Sequence, residues 1–99
     1  MAKTGIVVDF RIRPGQHAAF DAIIRDHARK TLAEEPGCER FEVFQPVNNG
    51  VPDLSRLMLV EVFRDQAAFE EHGRNPRLAE VRQAYAPMIE ARTLHVCTL

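Results

Sequence analysis

The sequence has no tryptophan, only one tyrosine, and a net charge of −1 over 99 residues. A nucleic-acid-binding surface needs clustered basic residues, usually with aromatic side chains among them, and this chain offers neither. So weak a charge also provides no field that would draw the protein to an anionic membrane. No apolar run approaches the roughly 18 residues that a membrane-spanning helix requires. The composition therefore predicts a globular protein with neither nucleic acid nor membrane as a partner.

Cysteine and recognisable sequence motifs are also scarce. The two cysteines, Cys38 and Cys97, lack the CxxC spacing of metal or redox sites, and we expect both to be reduced thiols. GxGxxG, Walker, HExxH and GxSxG motifs are all missing. The first ten residues lack the charged and apolar regions of a secretory signal, so the sequence predicts a cytoplasmic location.

Apolar residues recur with two different periods along the chain. Alternation with a period of two predicts strands over 5–12, 39–45, 56–64 and 93–99, and helical spacing predicts helices over 16–35, 65–72 and 75–89. Asp65 and Asn75 precede the last two helical segments as expected N-caps. The segment 46–53 is rich in turn-forming residues and is predicted to be a surface loop.

The order β-α-β-β-α-β falls into two halves of similar length and predicts a ferredoxin-like α+β fold. In this fold, a four-stranded antiparallel sheet carries its helices on one face. Residues 1–99 are expected to form a single domain, since two domains would each be too small to hold a core. With the usual strand order 4-1-3-2, Cys38 and Cys97 lie on opposite edges of the sheet, too far apart for a disulfide.

The third predicted strand is apolar on both faces, which requires that both be covered. If Met58, Val60 and Val62 face the helices, then Leu57, Leu59 and Phe63 are left on the open face together with Val7 and Phe44. Such a patch is larger than monomers usually expose, so we expect a homodimer that buries it. The polar residues expected on the open face are Asp9, Arg11, Arg40, Glu42 and Glu61. The alternative is a monomer with a partly hydrated sheet.

Three polar side chains are predicted to point from the helices into the apolar layer: His27, His72 and Tyr85. An apolar pocket with a few convergent polar groups is the usual form of a small-molecule site, and histidine is a natural general base near neutral pH. The other expected pocket residues are Phe10, Ile24, Phe41, Met58, Val60 and Phe69. Alternatively, the histidines are packed or capping residues and Tyr85 belongs to the core. No metal is expected, because the histidines lack ligands at suitable spacing, and Glu34–Glu35 is taken as a solvated pair.

Several segments, spread over residues 5 to 90, resemble those of antibiotic-biosynthesis-monooxygenase-like proteins. They are Arg13-Pro14-Gly15, Asp26-His27-Ala28, Glu35-Pro36-Gly37-Cys38, Arg40-Phe41-Glu42-Val43 and Glu61-Val62-Phe63-Arg64-Asp65, the last leading to Ala68-Phe69 and His72. The resemblance implies a dimeric α+β barrel. For enzymatic members it implies oxygenation of a quinol or phenol by O2 without a cofactor, metal or flavin. On this chain, His27 and His72 occupy the family's histidine positions, as base or substrate anchor.

Three functions remain open on the sequence. The first is a cofactor-independent monooxygenase that acts on a small quinol or polyphenol with O2; the absence of tryptophan argues against the haem-degrading relatives and disfavours anthrone oxidation. The second is an isomerase of a small phosphorylated sugar, which needs cationic groups at the pocket mouth; Arg40, Arg74 and Arg77 are the expected candidates. The third is a non-catalytic module for ligand binding or assembly, in which the histidines are structural.

Overall fold

The computed structural model describes residues 2–99 and contains a four-stranded antiparallel sheet with three helices on one face. In chain order the elements are β1 (Thr4–Ile12), α1 (His17–Glu34), β2 (Cys38–Phe44), β3 (Val47–Asn48), β4 (Val51–Pro52), β5 (Arg56–Phe63), α2 (Gln66–Arg74), α3 (Pro76–Tyr85), a 3-10 turn (Ala86–Met88) and β6 (Ile89–Thr98). The sheet order β2-β5-β1-β6 is the predicted one. The ferredoxin-like α+β fold is therefore confirmed. No helix within residues 2–99 has the length and apolar character needed to cross a membrane.

Two segments differ from their predicted form. Strands β3 and β4 make a small hairpin within the segment predicted to be a loop, and the two residues between them, Asn49 and Gly50, have φ angles of 51° and 79°. Asn-Gly favours this kind of hairpin turn, because both residues tolerate positive φ. The helix predicted over 75–89 ends at Tyr85, and strand β6 begins at Ile89 rather than at residue 93. A strand of two residues is too short to give a periodic signal. In β6 the apolar residues change from odd positions, Ile89 and Ala91, to even positions, Leu94 and Val96, so one alternation does not run through the whole strand.

The helices after β5 are capped as predicted, which fixes the position of His72 at the end of α2. The Asp65 carboxylate accepts a hydrogen bond from the backbone N–H of Ala68 at 2.8 Å. The side-chain oxygen of Asn75 accepts one from the N–H of Arg77 at 3.0 Å. Each cap satisfies a backbone donor that the first turn of a helix leaves free.

The register of β1 with β5 shows which face of β5 lies under the helices. Leu59 pairs with Val8, which is buried on the helix side, whereas Val60 pairs with Val7 on the open side. The predicted facing of β5 is therefore wrong: Leu57, Leu59 and Phe63 lie under the helices, and Met58, Val60 and Val62 lie on the open face. Because both faces of this strand are apolar, its period alone cannot distinguish them.

Glu61 follows the same correction. It was expected on the open face, but it pairs with Ile6 on the helix side and is only 5% exposed. A carboxyl group is thus placed in the apolar layer, where an ionised form is costly.

The two cysteines lie in the two edge strands of the sheet, β2 and β6, and both are free thiols. Cys38 is buried and Cys97 is exposed. The prediction that no disulfide joins them is confirmed. Burial raises the pKa of the Cys38 thiol to about 12, so this thiol stays protonated at neutral pH.

Gly37 lies at the start of β2, directly beneath α2. A Cβ at this position would lie 2.5 Å from the Cβ of Ala68. We expect Gly37→Ala to lower the free energy of unfolding by about 1–3 kcal/mol, because strand or helix must shift to relieve the overlap. Urea denaturation measures the loss. Adding Ala68→Gly should recover part of it, although that change alone costs about 1 kcal/mol in a helix. Strictly additive losses would contradict the steric explanation.

Candidate functional site

A cavity of about 100 Å³ lies between the helices and the sheet. Its walls are mostly aliphatic and aromatic, and they come from all three helices and from all four strands of the main sheet. The polar side chains that line it are His27, Glu61, His72, Arg82, Tyr85 and Arg92. Of these, Arg82 and Arg92 are exposed, whereas the other four are buried. The arginines therefore mark the mouth of the cavity, and the histidines, Glu61 and Tyr85 lie inside.

Most of the residues predicted for the pocket line this one cavity. They are Phe10, Ile24, His27, Phe41, Phe69, His72 and Tyr85. Met58 and Val60 do not, because they project from the opposite face of the sheet; their neighbours Leu59 and Glu61 line the cavity instead. The geometry brings the predicted residues together, and their role in ligand binding stays a prediction.

His27, on α1, is 4% exposed, and its Nδ1 has no hydrogen-bond partner among residues 2–99. Its ring meets Phe41 edge-on, with centroids 5.4 Å apart. Burial, reinforced by the positive charges of His72, Arg77 and Arg82, lowers the pKa of His27 to about 4. The imidazole is therefore neutral near pH 7. An unpartnered buried nitrogen is costly, and because His27 lines the cavity, a ligand hydroxyl is a candidate partner for it.

His72, on α2, is fixed by a carboxylate on α1. Its Nδ1 lies 2.8 Å from Glu35 Oε1, and Asn75 donates to the other Glu35 oxygen at 3.0 Å. Since an ionised carboxylate can only accept, we assign the Nδ1 proton to this bond. The other ring nitrogen of His72, Nε2, lies 3.9 Å from Glu61 Oε1. The expectation that His72 has no carboxylate near it is wrong, as is the solvated reading of Glu35, whose side chain is 16% exposed.

Three polar residues of the cavity were not predicted from the sequence: Glu61, which was expected on the open face, and Arg82 and Arg92. The burial of Glu61, together with the negative charge of Glu35, raises the pKa of this carboxyl to about 7, and the positive charge of Arg82 acts in the opposite direction. A group with such a pKa can take up and release a proton at neutral pH, as a general acid or base must. The sequence does show that Glu61 lies two residues from Leu59, so the two side chains share one face of the strand. Placing Leu59 under the helices would have placed Glu61 there as well.

The two histidines are close together, with ring centroids 5.8 Å apart. Tyr85 packs its ring against Phe10 and Phe20, at centroid distances of 5.5 and 5.3 Å, so its ring does belong to the core. Its hydroxyl accepts a hydrogen bond from Arg92 Nη1 at 3.1 Å. In the part of the chain that the structure describes, no three His, Cys, Asp or Glu side chains are placed to hold a metal ion. The site combines neutral imidazole, a titrating carboxyl and an apolar wall.

An antiparallel ferredoxin-like sheet with a cavity beneath its helices defines a class of small α+β proteins. The profile of the family described as "Antibiotic biosynthesis monooxygenase" matches residues 4–84, and the chain belongs to this family. The resemblance noted from the sequence is thus confirmed. A comparison with curated proteins finds no match.

Several solved structures of proteins given the same family description share the fold. One from Chloroflexus aurantiacus is 22% identical, with a TM-score of 0.80, and the match covers 98% of this chain and 92% of the other. One from Caulobacter crescentus is 21% identical, with a TM-score of 0.86, and the match covers 97% and 88%. One from Nitrosomonas europaea is 20% identical, with a TM-score of 0.85, and the match covers 96% and 88%. At these identities the likeness shows a common fold.

Proposed function

We propose that this protein is a cofactor-independent monooxygenase that oxidises a small quinol or polyphenol with O2. The observation that carries the proposal is neutral, buried His27, whose Nδ1 has no partner among residues 2–99 and which lines an apolar cavity together with His72 and Glu61. Membership of the antibiotic biosynthesis monooxygenase family supports the same class of reaction.

The reaction begins with removal of a proton from a substrate hydroxyl, because a phenolate gives an electron to O2 far more readily than a phenol does. A new C–O bond between a ring carbon and oxygen then gives a hydroperoxide. Loss of the hydrogen on that carbon breaks the O–O bond, so that one oxygen atom stays on the ring as a carbonyl and the other leaves as water. The substrate loses four electrons and O2 gains four, and no external reductant is needed.

The cavity supplies what each proton transfer requires. His27 is neutral at pH 7 and free to accept the hydroxyl proton, but a pKa of about 4 makes it a weak base. The transfer therefore depends on the attraction between the phenolate and the imidazolium so formed, which is strong in an apolar surrounding. Glu61, with a pKa of about 7 and close to His72 Nε2, can take the second proton from the ring carbon. Apolar walls around the ring hold it in place and limit access of water.

We also propose that the working form is a homodimer joined through the open face of the sheet. Its apolar side chains are Val7, Phe44, Met58, Val60 and Val62, of which Phe44 is 49% exposed. Burying a side chain of this kind is worth about 1.5–3 kcal/mol. Val62 is already only 8% exposed in the single chain, and a second copy that presents the same face would cover the other four.

The three arginines expected at the pocket mouth for an isomerase lie away from the cavity. Arg40 pairs with Glu42 on the open face of the sheet, and Arg77 pairs with Glu34 and Glu35. Neither of them, nor Arg74, lines the cavity. Arg82 and Arg92 line the cavity instead and could serve an isomerase of a phosphorylated sugar as well, so the O2-uptake assay decides between the two functions. The non-catalytic alternative is separated by the histidine variants described next.

O2 uptake tests the proposal directly. The purified protein is incubated with a panel of hydroquinones and polyphenols in the presence of a chelator, and uptake is compared with the autoxidation blank. We expect uptake well above the blank, lost by about 100-fold or more in His27→Ala and in His72→Ala. His17→Ala is the matched control, because this histidine bonds to Gln45 outside the cavity and should keep full activity. Unchanged turnover in both cavity variants would overturn the mechanism, and folded variants are identified by circular dichroism.

A further inference from the structure

The mouth of the cavity carries two arginines that have no acidic partner within residues 2–99. Arg82 projects from α3 and Arg92 from β6, and both line the cavity while remaining exposed. Neither takes part in an ion pair within residues 2–99, whereas Arg25, Arg29, Arg40, Arg56 and Arg77 each pair with a carboxylate. Other arginines are also unpaired, but Arg82 and Arg92 are the ones that line the cavity.

Arg92 is held in place by the core. Its Nη1 donates to the hydroxyl of Tyr85, whose buried ring is packed between Phe10 and Phe20. This bond uses one of the five N–H donors of the guanidinium group and leaves the others free. An oriented guanidinium loses less side-chain entropy when it binds an anion.

The positive charge of Arg82 changes the pKa values of two groups inside the cavity. It lowers the pKa of Glu61. It also lowers the pKa of His27, to which burial and the charges of His72 and Arg77 contribute more. A ligand that enters the cavity therefore passes two positive charges at its mouth. The interior holds one carboxyl group, which is partly protonated at neutral pH.

We propose that Arg82 and Arg92 bind an anionic substituent of the substrate, so that the cavity accepts a phenol or quinol that carries a carboxylate. This inference rests on the proposed function, of which it names the substrate class. A planar guanidinium matches a carboxylate through two parallel hydrogen bonds, and a partly desolvated pair of this kind is stronger than an exposed one. The ring then enters the apolar cavity and the carboxylate stays at the mouth.

Binding in the absence of O2 tests the inference independently of turnover. The probes are 2,5-dihydroxybenzoate and 1,4-dihydroxy-2-naphthoate, each compared with its uncharged methyl ester by anaerobic calorimetry. We expect at least one acid to bind about tenfold or more tightly than its ester, which corresponds to about 1.4 kcal/mol. Arg82→Gln and Arg92→Gln should each remove most of this preference, and Tyr85→Phe, which keeps the ring but not the acceptor for Arg92, should remove part of it.

Arg74→Gln is the matched control, because it removes the same charge from an exposed residue that does not line the cavity. It should bind the acid as tightly as the wild type does. Equal affinity for acid and ester, no binding of either acid, or an equal loss in Arg74→Gln would overturn the inference. A preference for the acid without O2 uptake would uphold the anion site and reject the monooxygenase, so the two failures are distinct.

Discussion

Replacing Glu61 with Gln is expected to make the protein more stable than the wild type at pH 8, and by much less at pH 5. The pKa of Glu61 is raised from 4.5 to about 7 by burial and by Glu35, so the folded state holds this proton more tightly than the unfolded state does. The resulting stability is fully present below about pH 4.5 and is lost as the pH rises through 7. The difference between the two pKa values corresponds to about 3 kcal/mol. The amide of Gln does not ionise and escapes this loss.

Urea denaturation at pH 5 and pH 8, at one protein concentration, measures the effect. His27 titrates in the opposite sense: its pKa is lowered from 6.5 to about 4, so the stability that it contributes is lost as the pH falls through this range. The wild type and Glu61→Gln both keep His27, so its contribution largely cancels in the difference between their free energies of unfolding. Glu70→Gln, on an exposed position of α2, is the control and should show no such pH dependence. A stability difference for Glu61→Gln that does not change between pH 5 and pH 8 would refute the titration of Glu61.

The same substitution should lower O2 uptake by about 100-fold, because an amide cannot accept the proton of the ring carbon. A variant that is more stable and less active would show that this carboxyl is retained for chemistry at a cost in stability. A variant with wild-type turnover would remove Glu61 from the proposed mechanism.

The architecture could be predicted from the sequence because the relevant signals are local. The helical spacing around Ile24 and His27, and the caps Asp65 and Asn75, depend only on neighbouring residues. The strand order then follows from the βαββαβ sequence of elements, which allows few arrangements. The hairpin at Asn49-Gly50 was missed because two-residue strands carry no period, although the Asn-Gly pair itself is a turn signal.

The site was predicted only in part, because the facing of β5 depends on another strand. The alternation over 57–63 does not show which face of the strand lies under the helices, because both faces carry large apolar residues. Only the pairing of Leu59 with Val8 identifies the helix-side face. One wrong choice moved Met58 and Val60 into the pocket and Glu61 out of it. The bond from His72 to Glu35 was equally invisible, since 37 residues separate the two in sequence.

Replacing Val60 with Asp is expected to convert the proposed homodimer into a monomer. Val60 lies near the middle of the open face, where its cross-strand neighbours are Val7 and Glu42. In a two-fold interface each protomer would bury one new carboxylate beside the existing one of Glu42. Arg11, an open-face arginine with no ion pair in residues 2–99, lies four residues from Val7 along β1, too far from Val60 of the same chain to pair with it. Arg40 already pairs with Glu42, and Arg56 with Asp9 at 2.7 Å. An unpaired buried charge costs several kcal/mol, and two-fold symmetry doubles that cost.

Light scattering after size-exclusion chromatography, at one micromolar-range concentration, measures the mass of each form. We expect twice the chain mass for the wild type and a single chain mass for Val60→Asp. Ala79→Asp adds the same charge at an exposed position of α3, on the helix layer, and should leave the dimer intact. A wild-type mass of one chain would refute the dimer, and a dimeric Val60→Asp would place the interface elsewhere. Because the cavity lies on the other side of the sheet, a folded monomeric variant that still binds ligand would show that each protomer forms its own site.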